Sequence, residues 1–237
     1  MNSLNDKVAY ITGGSKGIGY GIAKMLLHSG MKVAITSRSL EVAKQAAASL
    51  SEDGSKILPL ESDVSFLASE INAVKAVTDH FGRLDVLVAN AGVGHFASIE
   101  DLTEAEWKST IDTNLTGVFN SVKASLDALK QSKGYIITIA SLAGTNFFAN
   151  GSGYNASKFG LVGFSQAIMM DLRQYGIKVT TIMPGSVATH FNDHVPVDTD
   201  AWKIQPEDIG QMVADLLKMH PRALPSKIEV RPSIPGK

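Results

Sequence analysis

Tyr154 and Lys158 stand four residues apart in the run Tyr154-Asn155-Ala156-Ser157-Lys158, a spacing that puts a phenol and an ammonium on one face at the start of a helix. A cation held beside a phenol favours the phenolate, so the pair can draw a phenol pKa down from about 10 toward the range of a general acid or base. Ser141 follows the apolar run Tyr135 to Ile139. A hydroxyl there can donate a hydrogen bond to a carbonyl oxygen and stabilise charge building on it. Taken singly, a helical Tyr and Lys are ordinary surface residues and a serine after a strand is an ordinary turn residue. The chemistry is implied by their combination with a second motif near the N-terminus.

That motif is Thr12-Gly13-Gly14-Ser15-Lys16-Gly17-Ile18-Gly19, between a first strand-like run and a helical pattern. Glycines at a strand-to-helix junction let the backbone approach a pyrophosphate, and the helix N-terminus supplies free N–H groups and a partial positive charge. No Gly-Lys-Ser/Thr is present for a nucleoside triphosphate loop, and G-x-G-x-x-G counted from Gly17 fails at Ile22. The second strand-like run ends Ile35-Thr36-Ser37-Arg38-Ser39. A carboxylate at that point of a dinucleotide-binding fold takes the ribose hydroxyls and repels a 2′-phosphate; the small hydroxyl of Ser37 followed by Arg38 predicts the phosphorylated cofactor, NADP(H).

The elements that must position these residues are legible as alternation. Seven short apolar runs, Val8 to Thr12, Lys32 to Thr36, Ile57 to Leu60, Val86 to Ala89, Tyr135 to Ile139, Lys178 to Met183 and Ile228 to Val230, alternate with helical windows such as Ile22, Ala23, Leu26 and Leu27, then Ile71, Val74, Ala76 and Val77. Near-continuous apolar strands separated by helices predict an α/β, doubly wound (Rossmann) parallel seven-stranded sheet covered on both faces. Gly30 and Gly176 follow helical windows at C′ positions. No linker divides residues 1–237, which predicts one domain, with a mobile substrate lid at about 190–205.

Composition narrows the function. The chain has 237 residues, 44% hydrophobic, with a formal charge of -1 and no basic block, which argues against nucleic acid or an anionic membrane surface as partners and toward small molecules and sister subunits. The absence of cysteine excludes disulfides, thiol nucleophiles and cysteine-held metals, and fits a reducing, cytoplasmic setting. Met1 to Lys7 does not read as a secretory signal. Ser141 lies in Ile139-Ala140-Ser141-Leu142-Ala143 rather than G-x-S-x-G, and the six histidines form no H-E-x-x-H, so neither a serine hydrolase nor metal chemistry is predicted.

T-G-x-x-x-G-x-G with Tyr-x-x-x-Lys downstream resembles the short-chain dehydrogenase/reductase family, over the stretch from the first strand to about Thr189. The resemblance implies carbonyl reduction in which Ser141 orients the substrate, Tyr154 donates the proton, Lys158 tunes the phenol and holds the nicotinamide ribose, and Asn114 completes the set by kinking the helix before the fifth strand. It also implies a cofactor site made of Gly13, Ser15, Lys16, Gly17, Ile18 and Gly19 at the phosphates, Ser37 and Arg38 at the 2′-phosphate, and Asp63 and Val64 at the adenine. Asn90, Ala91 and Gly92 would lie along the cofactor, and Pro184, Gly185, Val187 and Thr189 over the nicotinamide. Asp63 has a second reading as a helix N-cap. Ala89 stands where relatives often carry a first asparagine, which predicts one hydrogen bond fewer there.

Family members commonly pair through the helices bearing Asn114 and Tyr154, so a homodimer or homotetramer is expected, with Phe164, Ile168, Met169 and Met170 at the interface or facing the sheet. The connection from Thr189 to Pro206 is short for the family; Phe191, His194 and Trp202 are its lid candidates, and Phe147, Phe148 and Phe96 the expected apolar walls. His95 is a loop residue near the expected mouth. These features favour a ketone or aldehyde with apolar bulk, or the corresponding alcohol. The alternatives are a 3-oxoacyl-thioester reductase, which the short lid and the Ile228 to Pro232 ending disfavour, and a catalytically silent NADP-sensing protein.

Overall fold

In the computed structural model, which describes residues 3–234, the seven predicted strands form as β1 (Val8–Ile11), β2 (Lys32–Ser37), β3 (Ile57–Glu61), β4 (Val86–Ala89), β5 (Tyr135–Ile139), β6 (Lys178–Pro184) and β7 (Lys227–Val230). All pair in parallel in one sheet of order β3-β2-β1-β4-β5-β6-β7. Every residue of β1, β4 and β5 is buried because helices cover both faces, which is why these strands read as unbroken apolar runs rather than alternating ones. The edge strand β7 alternates exposed and half-buried positions.

Seven α-helices connect them: α1 (Gly17–His28), α2 (Leu40–Leu50), α3 (Leu67–Phe81), α4 (Glu104–Ile111), α5 (Gly117–Ser132), α6 (Ser152–Leu172) and α7 (Pro206–Lys218). One core packs Ile22 and Leu26 of α1, Ala46 of α2 and Ile209 and Val213 of α7 on one sheet face. The other packs Val74 and Val77 of α3, Val118, Val122 and Leu129 of α5 and Leu161 of α6 on the opposite face. Ala73, not Ile71, completes the buried stripe of α3; Ile71 is 49% exposed. Helix α1 lies hard against α7: a methyl group at Gly210 would fall 2.5 Å from the Gly21 carbonyl oxygen, so the two backbones touch.

The chain winds outward from β1 in one direction and from β4 in the other, so the loops leaving their C-terminal ends diverge and open a crevice at the topological switch point. Gly30 (φ 87) and Gly176 (φ 75) end their helices in left-handed conformation, as their C′ positions predict.

Candidate active site

The turn after β1 forms the floor of the crevice. Gly13 (φ 63) and Gly17 (φ 56) adopt left-handed backbone that other residues enter at a cost. The Thr12 hydroxyl accepts from the amides of Asn90 (3.0 Å) and Ala91 (3.1 Å), and Asn90 Nδ2 donates to the carbonyls of Thr12 (2.9 Å) and Gly13 (3.1 Å). Ala89, the residue before Asn90, has no side-chain donor or acceptor to add to these bonds. Helix α1 has no side-chain cap and no acidic residue in its first turn, leaving its N-terminal amides and dipole free for an anion. Ser15 and Ile18 are half-buried there, Ile18 packing on the core, and Gly19 is buried. Lys16, the N-cap residue, is exposed, as is Arg38 one residue past β2.

Ser37 pairs with Glu61 across β2 and β3. Glu61 Oε2 accepts from the Leu40 amide at 3.3 Å, at the start of α2. Asp63 does not cap α3, whose N-cap position is Phe66. Its Oδ1 instead accepts from the Ser65 amide (3.0 Å) and hydroxyl (2.6 Å), a short-range turn that ends β3 before the helix can begin. Val64 is buried and its carbonyl accepts from Asn120 Nδ2 at 2.8 Å, so it offers an apolar wall.

Asn114 sits in a π-turn, Asp112–Thr116, inserted between α4 and α5, the kink expected at this position. It is fully buried, and its amide is used up: Oδ1 accepts from the Val93 amide (2.8 Å), while Nδ2 donates to the Val93 carbonyl (2.9 Å) and to Ser157 Oγ (3.0 Å). Ser157 Oγ in turn donates to the Tyr154 carbonyl at 2.7 Å. Ser157 was not singled out in the sequence, although its place between Tyr154 and Lys158 was the available signal.

Tyr154 and Lys158 open α6, 9% and 5% exposed. Lys158 Nζ donates to the Ile139 carbonyl at 3.1 Å and lies 5.7 Å from the Tyr154 ring centroid. Ser141, half-buried after β5, accepts from the Ala143 amide at 3.1 Å. Burial pushes the Tyr154 phenol above its usual value, and only hydrogen bonding with Ser141 pulls the other way. Burial also brings Lys158 down to about 8. Desolvation thus acts against the charged form of both groups, opposite in direction to the lowering that an adjacent ammonium would give the phenol. The phenol is held as the neutral acid, the form that gives up a proton. Gly92 lies close against Asn114 and Lys158: an added methyl would stand 3.3 Å from Asn114 Oδ1 and 3.8 Å from Lys158 Nζ.

Past β6, the Gly185 amide donates to the Val230 carbonyl at 2.8 Å, and Val187 bridges Ile204. Thr189 lies over the glycine turn, within 3.4 Å of a methyl built at Gly17. Residues 190–205 fold back over the mouth, fastened by Asp200, which accepts from His194 Nε2 (2.5 Å), Lys203 Nζ (2.6 Å) and the Val197 amide (3.2 Å); this hub was not foreseen. Phe96 and Phe191 pack on Tyr154 and Phe148 packs on Phe96, whereas Phe147 is 87% exposed. Among the described residues no group of three or more His, Asp or Glu is placed to hold a metal.

A crevice at the switch point of a doubly wound sheet, floored by a glycine turn and walled by Ser141, Tyr154 and Lys158, is where such folds hold a dinucleotide. The family model described as short chain dehydrogenase matches residues 7–199, and the chain belongs to this family of oxidoreductases. It is 34% identical over 233 residues, 98% of this chain and 100% of the other, to an uncharacterised oxidoreductase of Staphylococcus aureus. Among solved structures it superposes on an alcohol dehydrogenase of the archaeon Thermococcus sibiricus complexed with 5-hydroxy-NADP, with TM-score 0.90, 30% identity and 97% of each chain covered. It also superposes on a 3-ketoacyl-(acyl-carrier-protein) reductase of Brucella melitensis complexed with NADH, with TM-score 0.87, 27% identity, and 98% and 99% covered. One of these two structures holds an NADP derivative and the other NADH. Among the described residues no helix is long and apolar enough to cross a membrane.

Proposed function

We propose that this protein is an NADPH-dependent reductase of ketones or aldehydes, working reversibly on the corresponding alcohols, with Tyr154 as the proton donor. The observation that carries this reading is a buried phenol under the influence of the Ser141 hydroxyl and one helical turn from Lys158, beside the uncapped N-terminus of α1 and its glycine turn. A bound nicotinamide cofactor supplies the hydride. The uncapped α1 terminus and Gly13 to Gly19 would take its pyrophosphate, Lys16, Ser37 and Arg38 the 2′-phosphate, Asp63 and Val64 the adenine. Asn90 to Gly92 would lie along it, Lys158 would hold the ribose, and Pro184, Gly185, Val187 and Thr189 the carboxamide.

The residues of this chain then divide the proton work. Ser141 donates a hydrogen bond to the substrate oxygen as charge develops on it. Tyr154 releases its phenolic proton to that oxygen, and Lys158, partly neutral near pH 8, stabilises the phenolate left behind. Asn114 holds the Val93 backbone and, through Ser157, the first turn of α6, so that Tyr154 meets the substrate in a fixed position. Phe96, Phe148 and Phe191 favour a substrate with apolar bulk. Phe119, Phe159 and Met170 on α5 and α6 are exposed and suit a homodimer or homotetramer, and the cysteine-free sequence suits the cytoplasm.

NADPH oxidation with a panel of simple ketones, aldehydes and a 3-oxoacyl thioester tests the reading. Turnover of simple carbonyls is expected. Turnover confined to the thioester would replace the assignment with a ketoacyl reductase, and cofactor binding without any turnover would replace it with a sensor.

A further inference from the structure

Phe191 lies at the start of a short turn, Phe191–Asp193, in the segment over the mouth. Its ring fills a gap that exists only because residue 94 is glycine: a methyl built on Gly94 would stand 2.5 Å from Phe191 Cζ, 2.7 Å from its Cε1 and 3.1 Å from Phe96 Cε2. From that gap the ring packs on Tyr154 (centroids 5.7 Å apart, planes at 55°) and edge-on to Phe96 (6.3 Å, 67°), which itself meets Tyr154 edge-on at 5.2 Å. The rings touch one another, leaving no room between them for a substrate group. Phe191 remains 37% exposed, so it covers Tyr154 from the solvent side instead of forming part of the core. The backbone beneath it is tied down: its amide donates to Thr189 Oγ1 at 3.3 Å, and Asp200 fastens the following residues.

We propose that Gly94 and Phe191 form a seat and plug that set substrate size and shape beside Tyr154. While the ring is seated it occupies the space that a carbonyl compound's larger substituent requires. A planar apolar substituent can exchange with it, recovering the contacts with Phe96 and Tyr154 that the ring gives up; a compact aliphatic substrate does not need the exchange. The pair thereby directs the enzyme between aryl and small aliphatic carbonyl compounds. This rests on the reductase reading and adds the determinant of its selectivity.

The test is a double-mutant cycle with G94A, F191A and G94A/F191A, read in two ways. With acetophenone and 2-pentanone as substrates, F191A should raise the ratio of their kcat/KM values in favour of the aryl ketone by about fivefold, the scale of one lost aromatic contact. G94A should shift the ratio by a similar factor in the presence of Phe191 and leave it unchanged, within about twofold, in the F191A background. The thermal midpoint supplies the second reading without any turnover: G94A lowers it more when Phe191 is present than in the F191A background, where only the 3.1 Å contact with Phe96 remains. Equal effects of G94A in both backgrounds, on either measure, or an unchanged ratio in F191A would overturn the seat and plug. Wild-type protein that reduces neither ketone nor any other carbonyl would overturn the reductase reading instead, while the melting cycle still decides whether the contact exists.

Discussion

The two ends of the crevice are fixed by different kinds of contact. At the phosphate end, Thr12 and Asn90 tie the glycine turn to the end of β4 through hydrogen bonds to backbone, and the groups left for a ligand are backbone amides plus two exposed cations. At the carbonyl end, Tyr154 is packed by Phe96 and Phe191 from separate loops, with Phe148 behind Phe96, and these contacts depend on ring shape and carry little directional constraint. The first arrangement is directional and changes only if Thr12 or Asn90 is replaced, so it suits a ligand recognised through backbone. The second can be altered one side chain at a time, so it suits a substrate that differs between relatives.

Substitutions can separate the ends. Tyr154→Phe should lower kcat by about 100-fold or more, the usual scale of a lost general acid, while the NADPH Kd measured by fluorescence titration stays within about twofold. A large change in Kd would show that the ends are not independent.

Lys158→Met removes a buried ammonium. Because Lys158 titrates near 8 in the folded protein, below its ordinary 10.5, the unfolded chain binds its proton more tightly and the folded state is penalised at neutral pH. The variant, although inactive, should therefore escape a penalty of about 3 kcal/mol at pH 7, offset in part by the Ile139 carbonyl that loses its donor. Wild-type stability should gain on the variant as pH rises from about 8 toward 10.5. Thermal melts of both proteins across that range decide it; an unchanging gap would mean that burial does not set this titration.

Arg38→Asp should weaken NADPH binding at least about tenfold, and narrow or reverse the preference over NADH, from loss of a charge-assisted contact. The ketone KM should not move. The smallest effect is expected at Glu61, whose carboxylate already occupies the Leu40 amide beside the proposed 2′-phosphate position. Glu61→Gln should tighten NADPH about threefold at low ionic strength and less at high salt. Unaltered affinity at both salt concentrations would remove Glu61 from the cofactor field.

The strands were legible because burial on both faces leaves an unbroken apolar run, and each of the seven forms within a residue or two of the stretch that announces it. The motif also names Asn114, Tyr154 and Lys158, which the structure links through Ser157 and the first turns of α6. Other features depend on distances that no spacing encodes. The direction of the Tyr154 titration is set by desolvation, which appears only when the loops close over it. Phe147 and Phe148 are adjacent in sequence, yet one faces solvent and the other joins the aromatic cluster. Gly94 gives no local sign of its role, because what it accommodates is a ring from a loop beyond β6.

The backbone contact between α1 and α7, at Gly21 and Gly210, has a consequence for how the protein is made. The helix that presents its N-terminus to the crevice is among the first segments to be synthesised, but the layer that covers its back includes residues 206–218. During synthesis the early strands can pair while α1 still lacks that cover. A chain truncated before residue 206 is therefore expected to leave the back of α1 bare and to hold its N-terminal turn less firmly than the full chain does.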